Sequence, residues 1–139
     1  MSPLSQGNAQ KELVLVPLGG TGEIGMNCYA YGLGTVTDKR WIIVDLGVKF
    51  GEETEPGIDI VLPDPIFLET NRSKLLGIVL THAHEDHLGA VPWLWSRLRV
   101  PVYCTPFAAE ILRLKLIEAD LLEEVALKVL PLSSRFKLG

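Results

Sequence analysis

Apolar residues in this chain fall in short runs separated by glycine, proline and charged clusters, a punctuation that predicts strands alternating with helices. Leu13–Leu18 is apolar throughout and reads as a strand buried on both faces. Residues 19–25 follow as a tight loop with four glycines. Asn27–Tyr31 and Trp41–Val44 flank a polar turn at Gly34–Lys39 and predict an antiparallel hairpin, ended by Asp45 and Gly47. Phe50–Pro65 reads as a long loop rich in acids and prolines, and Ile66–Lys74 as a short helix. Leu76–Leu80 is a short buried strand, and a helix is expected from about Ala90 to Arg97, with Trp93 and Trp95 on it and at least one of them in the core. Val102–Cys104 is a strand. Thr105 and Pro106 then mark a helix start, a capping hydroxyl followed by proline at the first helical position. From Ile111 to Val125 a broad apolar face recurs at helical spacing, and Val129–Leu132 begins another strand. Strands come first and then alternate with helices, the order of half an αββα sandwich: an α/β fold with a mixed sheet flanked by helices.

Composition narrows the class. At 139 residues the chain is one domain's worth and buries a real core; residues 1–11 read as a flexible arm and 12–139 as the folded part. The 47% apolar content is slightly rich, as expected if one face packs against something further. No run approaches the roughly 18 apolar residues of a membrane span, so no membrane partner is expected. Met1–Gln10 is polar with no apolar core, so no secretory leader is expected. Cys28 and Cys104 stand in unrelated contexts and read as small buried apolar residues in a reducing cytoplasm; a disulfide between them is the lesser alternative. The net charge of −4 weighs against a nucleic-acid surface on this chain, and the pairs Arg72/Lys74, Arg97/Arg99 and Arg135/Lys137 read as solvated surface.

The chemistry concentrates in one place. All three histidines lie within the six residues His82-Ala83-His84-Glu85-Asp86-His87, between the strand at Leu76–Leu80 and the helix that follows. His82 and His84 are two apart in extended chain, so both side chains leave the same side of the backbone and can grip one metal. Asp86 and His87 follow the turn and can face a second metal, about 3.5–4 Å from the first in two-metal sites. Imidazole with carboxylate suits zinc and its first-row neighbours. The bland reading, a solvated polar loop or histidines satisfied by backbone, fits one lone histidine better than this cluster. Gly20-Thr21-Gly22-Glu23-Ile24-Gly25 has the spacing of a dinucleotide fingerprint, but a strand and not a helix follows it, so that reading fails. The loop is instead expected to bring backbone close to the active cleft.

His-x-His-x-Asp-His at a strand end resembles the signature of the metallo-β-lactamase superfamily. Leu18–Asn27, Val44–Gly51, Pro56–Asp59 with Pro63-Asp64, Gly77–His87 and Pro101–Phe107 together resemble the ribonuclease J family, over about Glu12 to Gly139. The resemblance implies an amino-terminal portion of a longer protein, with a third histidine, a bridging aspartate, a β-CASP domain and a carboxy-terminal domain elsewhere. It implies two zinc ions, or manganese, held by His82, His84, Asp86 and His87, with His84 and Asp86 catalytic. It implies that Asp45 is a buried carboxylate bracing the histidine loop; a turn-forming aspartate before glycine is the alternative. The implied function is metal-dependent hydrolysis of RNA, 5′-to-3′ and internal, by a self-assembling cytoplasmic enzyme. With two ligands per metal, little or no activity is expected of this chain alone. The alternatives are another hydrolase of the fold (a DNA nuclease, lactonase or thioesterase) or a non-catalytic interaction fragment.

Overall fold

The computed structural model describes residues 9–139. Of the expected arm, residues 1–8 lie outside the described residues, and Ala9–Lys11 are exposed and carry no regular element. A six-stranded mixed sheet has the order β1-β2-β3-β6-β7-β8. Its first half, β1 (Glu12–Gly19), β2 (Cys28–Gly34) and β3 (Lys39–Val44), is antiparallel. Its second half, β6 (Leu75–Val79), β7 (Val102–Cys104) and β8 (Leu127–Val129), runs parallel to β3. Helices α1 (Ile66–Thr70), α2 (Glu85–Leu88), α3 (Val91–Leu98) and α4 (Pro106–Glu118) fill the connections between parallel strands. A 3₁₀ turn, Arg72–Lys74, leads into β6. Among the described residues, no helix is long and apolar enough to cross a membrane.

The core lies on one face of the sheet. Alternate residues Cys28, Ala30, Trp41, Ile43, Ile78 and Val102 meet Leu68, Leu94, Trp95, Leu112 and Leu116 from the helices. Trp41 packs edge-on against Phe67 of α1, ring centroids 5.0 Å apart. Trp95 is the core tryptophan of α3, its indole N–H donating to the Val100 carbonyl at 2.8 Å, while Trp93 points to solvent. The opposite sheet face is thinly covered: Leu13 and Leu33 are exposed, and Phe136 stacks on Tyr103 at 5.4 Å. One layer of helices on one face of a mixed sheet is the expected half sandwich.

Several expectations need correction. β1 is not buried on both faces. It is an edge strand, so Val14, Val16 and Leu18 pack against the core while Leu13 is 68% and Leu15 50% exposed. The long loop at Phe50–Pro65 contains a small hairpin, β4 (Lys49–Phe50) against β5 (Ile60–Val61). The last strand ends at Val129 instead of starting there: Leu130 makes one more bond, to the Cys104 carbonyl, and Pro131 has no N–H to continue. A helical turn, α2, begins inside the histidine cluster, earlier than the helix expected from Ala90. Thr105 stands at the expected helix start, but its hydroxyl makes no capping bond.

Cys28 and Cys104 are free and buried, at opposite halves of the sheet. Burial pushes the Cys28 thiol up to about 12, with the nearby Asp45 charge adding to it, and the Cys104 thiol to about 11. Iodoacetamide at pH 8 is therefore expected to label neither cysteine in the native protein and both after denaturation, as read by intact mass. A thiol raised on folding stabilises fully below its unfolded value near 9.0 and loses that contribution as pH climbs through 11 to 12. Labelling of native protein at the unfolded rate would contradict this.

Candidate metal centre

The site forms where β3 and β6 end side by side. Their parallel register pairs Val44 with Val79, so Asp45 after β3 and Thr81 after β6 emerge at the same sheet edge. Ligand sites gather at the carboxyl ends of parallel strands for this reason. The Asp45 N–H donates to the Val79 carbonyl at 2.9 Å, and its backbone takes a left-handed turn at φ 64°. Aspartate tolerates that conformation better than most residues. The turn drives the Asp45 carboxylate inward, where it is 4% exposed and the only buried charged group among the described residues.

Three hydrogens converge on this carboxylate. The Thr81 N–H donates to Oδ1 at 2.8 Å, and the Thr81 hydroxyl lies 3.0 and 2.8 Å from the two oxygens. His87 Nδ1 lies 2.7 Å from Oδ2. A carboxylate only accepts, so these contacts assign protons. His87 carries its hydrogen on Nδ1 and leaves a lone pair on Nε2. The Thr81 hydroxyl spends its one hydrogen on Asp45, so toward His82 Nδ1, at 2.9 Å, it accepts. His82 is therefore also protonated on Nδ1 and bare on Nε2. One buried aspartate sets the tautomer of two histidines, one directly and one through a threonine.

The bare nitrogens face other donors of the cluster. His82 Nε2 lies 3.1 Å from His84 Nδ1, and His87 Nε2 lies 3.5 Å from Asp86 Oδ2. The His82 and His87 rings are 4.0 Å apart, so the two pairs are contiguous. Tetrahedral zinc with bonds near 2.0–2.1 Å spaces its ligand atoms about 3.3–3.4 Å apart. Both pairs bracket that spacing, and their chemistry fits a divalent first-row metal. Among the described residues, no third His, Cys, Asp or Glu joins either pair to complete a site.

The loop is clamped from behind by backbone. Leu46 N–H donates to the His87 carbonyl at 2.8 Å and Val48 N–H to the Glu85 carbonyl at 3.0 Å. Gly47 lies between them, where a Cβ would fall 1.7 Å from the Asp86 carbonyl oxygen. The glycine-rich loop at 19–25 approaches the site through its exit. Met26 N–H donates to the Val48 carbonyl and Asn27 N–H to the Asp86 carbonyl, both at 2.9 Å. The Asn27 amide nitrogen donates to the same Asp86 carbonyl at 3.0 Å, and lies 3.4 Å from Asp86 Oδ2 and 3.3 Å from His87 Nε2. Outside the loop, Glu85 forms an ion pair with Lys115 of α4.

A sequence profile described as the metallo-β-lactamase superfamily matches residues 22–122, most of the chain and the whole of this site. The chain belongs to the metallo-β-lactamase superfamily. Within the superfamily it is similar to proteins named ribonuclease J. One from Sinorhizobium meliloti is 46% identical over 129 residues, which is 93% of this chain and 23% of that protein. One from Helicobacter pylori is 40% identical over 82% of this chain and 16% of its own length. One from Synechocystis is 33% identical over 98% of this chain and 21% of its own length. The chain thus spans less than a quarter of the length of these relatives.

The fold brings His82, His84, Asp86, His87 and Asp45 to one corner through the contacts above. Sequence reading assigned no role to Asn27 or Thr81. Thr81 adjoins the first histidine, which is a signal of sorts; Asn27 has none, because its partners Asp86 and His87 are 59 and 60 residues away.

Proposed function

We propose that this chain is the metal-binding part of a hydrolytic RNA nuclease. His82 and His84 would hold one divalent cation and Asp86 and His87 a second, both of them zinc, with manganese the alternative. The observation that carries the reading is the paired arrangement of ligand atoms, His82 Nε2 beside His84 Nδ1 and His87 Nε2 beside Asp86 Oδ2. The likeness to proteins named ribonuclease J directs it to RNA.

Bound divalent metal supplies a lowered water pKa and charge stabilisation on the phosphate. The residues supply position. Asp45 keeps both Nε2 atoms unprotonated toward the cleft and takes no part in ligation. Asn27, through the Asp86 carbonyl, keeps the Asp86 carboxylate beside His87, where it can accept a hydrogen from an attacking water and orient it. His84 is exposed, the ligand nearest solvent and to an entering substrate. With two protein ligands to each metal, the 139-residue chain alone is expected to bind metal weakly and turn over little. A longer protein containing it would act as a cytoplasmic, self-assembling nuclease in RNA processing and decay, ribosomal RNA included, degrading from a 5′-monophosphate end and cutting internally.

The test is degradation of 5′-monophosphorylated RNA by this chain extended to the length of its relatives, with His84→Ala as control. Stepwise 5′ loss that falls at least about a hundredfold in His84→Ala, with unchanged circular dichroism, is the expected result. Metal binding without RNA cleavage would leave a metallohydrolase and remove RNA as substrate. RNA loss that persists in His84→Ala would remove the site.

A further inference from the structure

The glycine-rich loop at 19–25 closes against the metal centre, and its first two glycines have no room for a side chain. Gly19 pairs with Cys28 across the β1–β2 junction, where a Cβ on it would fall 2.0 Å from the Met26 carbonyl oxygen. Gly20, at φ +82°, faces the side chains that follow: a Cβ there would fall 2.4 Å from Asn27 Oδ1 and 2.6 Å from the Tyr29 hydroxyl oxygen. Any residue but glycine at position 20 would therefore push on the Asn27 amide and on Tyr29 together.

The Asn27 amide lies between partners of opposite polarity. At its carbonyl end the Tyr29 hydroxyl donates to Oδ1, a long bond at 3.5 Å. At its nitrogen end one hydrogen goes to the Asp86 backbone carbonyl at 3.0 Å. The other faces Asp86 Oδ2 at 3.4 Å and His87 Nε2 at 3.3 Å. Both of these accept, the second because Asp45 holds the His87 hydrogen on Nδ1. Turned end for end, the amide would set its oxygen against three acceptors. Its direction is thus fixed from both ends, in space that Gly20 leaves open. The two ligand atoms it meets are those of the second pair. The side-chain bonds of His82 and His84 run instead to Thr81 and to each other.

We propose that Gly20, Asn27 and Tyr29 form a positioning unit for the second ligand pair alone. Asn27 meets both ligand atoms, Tyr29 helps set which end of the amide faces them, and Gly20 makes the room. The inference rests on the reading of Asp86 and His87 as ligands of one metal. Residues that orient ligands from behind change metal affinity about 10- to 100-fold, and here the change falls on one site of the two.

The experiment is zinc titration against a competing chelator, on the chain extended to its relatives' length. The step owed to the second pair is identified by its loss in Asp86→Ala. Asn27→Leu keeps the shape and removes the polarity; it is expected to weaken that step about tenfold and leave the other within about twofold. Tyr29→Phe is expected to weaken the same step about threefold by itself. It should add nothing to Asn27→Leu, because it acts through the amide. Gly20→Ala is expected to match Asn27→Leu; should its strained backbone prevent folding, Tyr29→Phe, which keeps the ring, decides. Equal weakening of both steps, or effects of Asn27→Leu and Tyr29→Phe that add, would make these residues packing only and overturn the proposal. Two steps untouched by Asn27→Leu would overturn it while leaving the ligand reading in place. A titration in which Asp86→Ala removes no step would overturn the ligand reading and this inference with it.

Discussion

Gly47→Ala is expected to be among the most damaging single substitutions in this protein, costing about 3 kcal/mol or more of stability. The reason is a backbone contact that no side-chain rotation relieves. A Cβ at this position would lie 1.7 Å from the Asp86 oxygen, 2.0 Å from the Asp86 carbonyl carbon and 2.6 Å from the His87 nitrogen. Relief requires the 46–48 segment to part from the histidine loop. That breaks the bonds from Leu46 to His87 and from Val48 to Glu85, and strains the bond from Gly47 to Asn27. Stability and site geometry should therefore fail together. Thermal unfolding is expected to drop by on the order of 10 °C, and zinc binding to weaken in step. Gly57→Ala is the comparison: nothing lies within 4 Å of its Cβ, and only its φ of +83° resists substitution. That left-handed backbone costs about 1–2 kcal/mol. If Gly47→Ala is no worse than Gly57→Ala, the close approach described here is not real.

The second large effect is expected from Asp45→Asn, which keeps size, shape and tolerance of the left-handed backbone at φ 64°. What it changes is hydrogen-bond polarity. Thr81 N–H, Thr81 O–H and His87 Nδ1–H all point at the carboxylate, within 2.7–3.0 Å. An asparagine offers one accepting oxygen and turns an NH₂ toward the rest, so at least one hydrogen meets another hydrogen. Loss of a charge-assisted bond with a buried group left unsatisfied costs about 2–3 kcal/mol. The second consequence is chemical: His87 or His82 loses the contact that keeps Nε2 bare. Zinc affinity is expected to fall about 10- to 100-fold. Urea unfolding of the apo chain reads the first effect, and zinc titration against a competing chelator the second. Stability lost with zinc affinity intact would make Asp45 a structural residue and nothing more.

What could be read from the chain followed the range of the interactions. The β2–β3 hairpin, the strand Val102–Cys104 and the helix opening at Thr105-Pro106 rest on neighbours in sequence, and they stand as expected, the hydroxyl cap aside. The pairing of His82 with His84 is equally local, two residues apart in sequence, although the chain bends at His82 and Ala83 where an extended run was expected. β1 misled, because an apolar run looks the same at the edge of a sheet as in its middle; only strand order decides which. Trp93 and Trp95 likewise differ by position around one helix, yet one lies in the core and one in solvent.

The amino-acid sequence by itself determined most of the larger elements, the half sandwich and the four donors gathered at one strand end, but not the β4–β5 hairpin, the bounds of the last strand or the helical turn inside the histidine cluster. Tertiary structure alone decided how those donors are aimed. The parallel pairing of β3 with β6 puts Asp45 against Thr81 and His87, 36 and 42 residues further along, and the packing of 46–48 and Asn27 behind the loop leaves room for glycine only. Local spacing places side chains on a side of the backbone, but proton positions and close approaches depend on partners that only folding brings together.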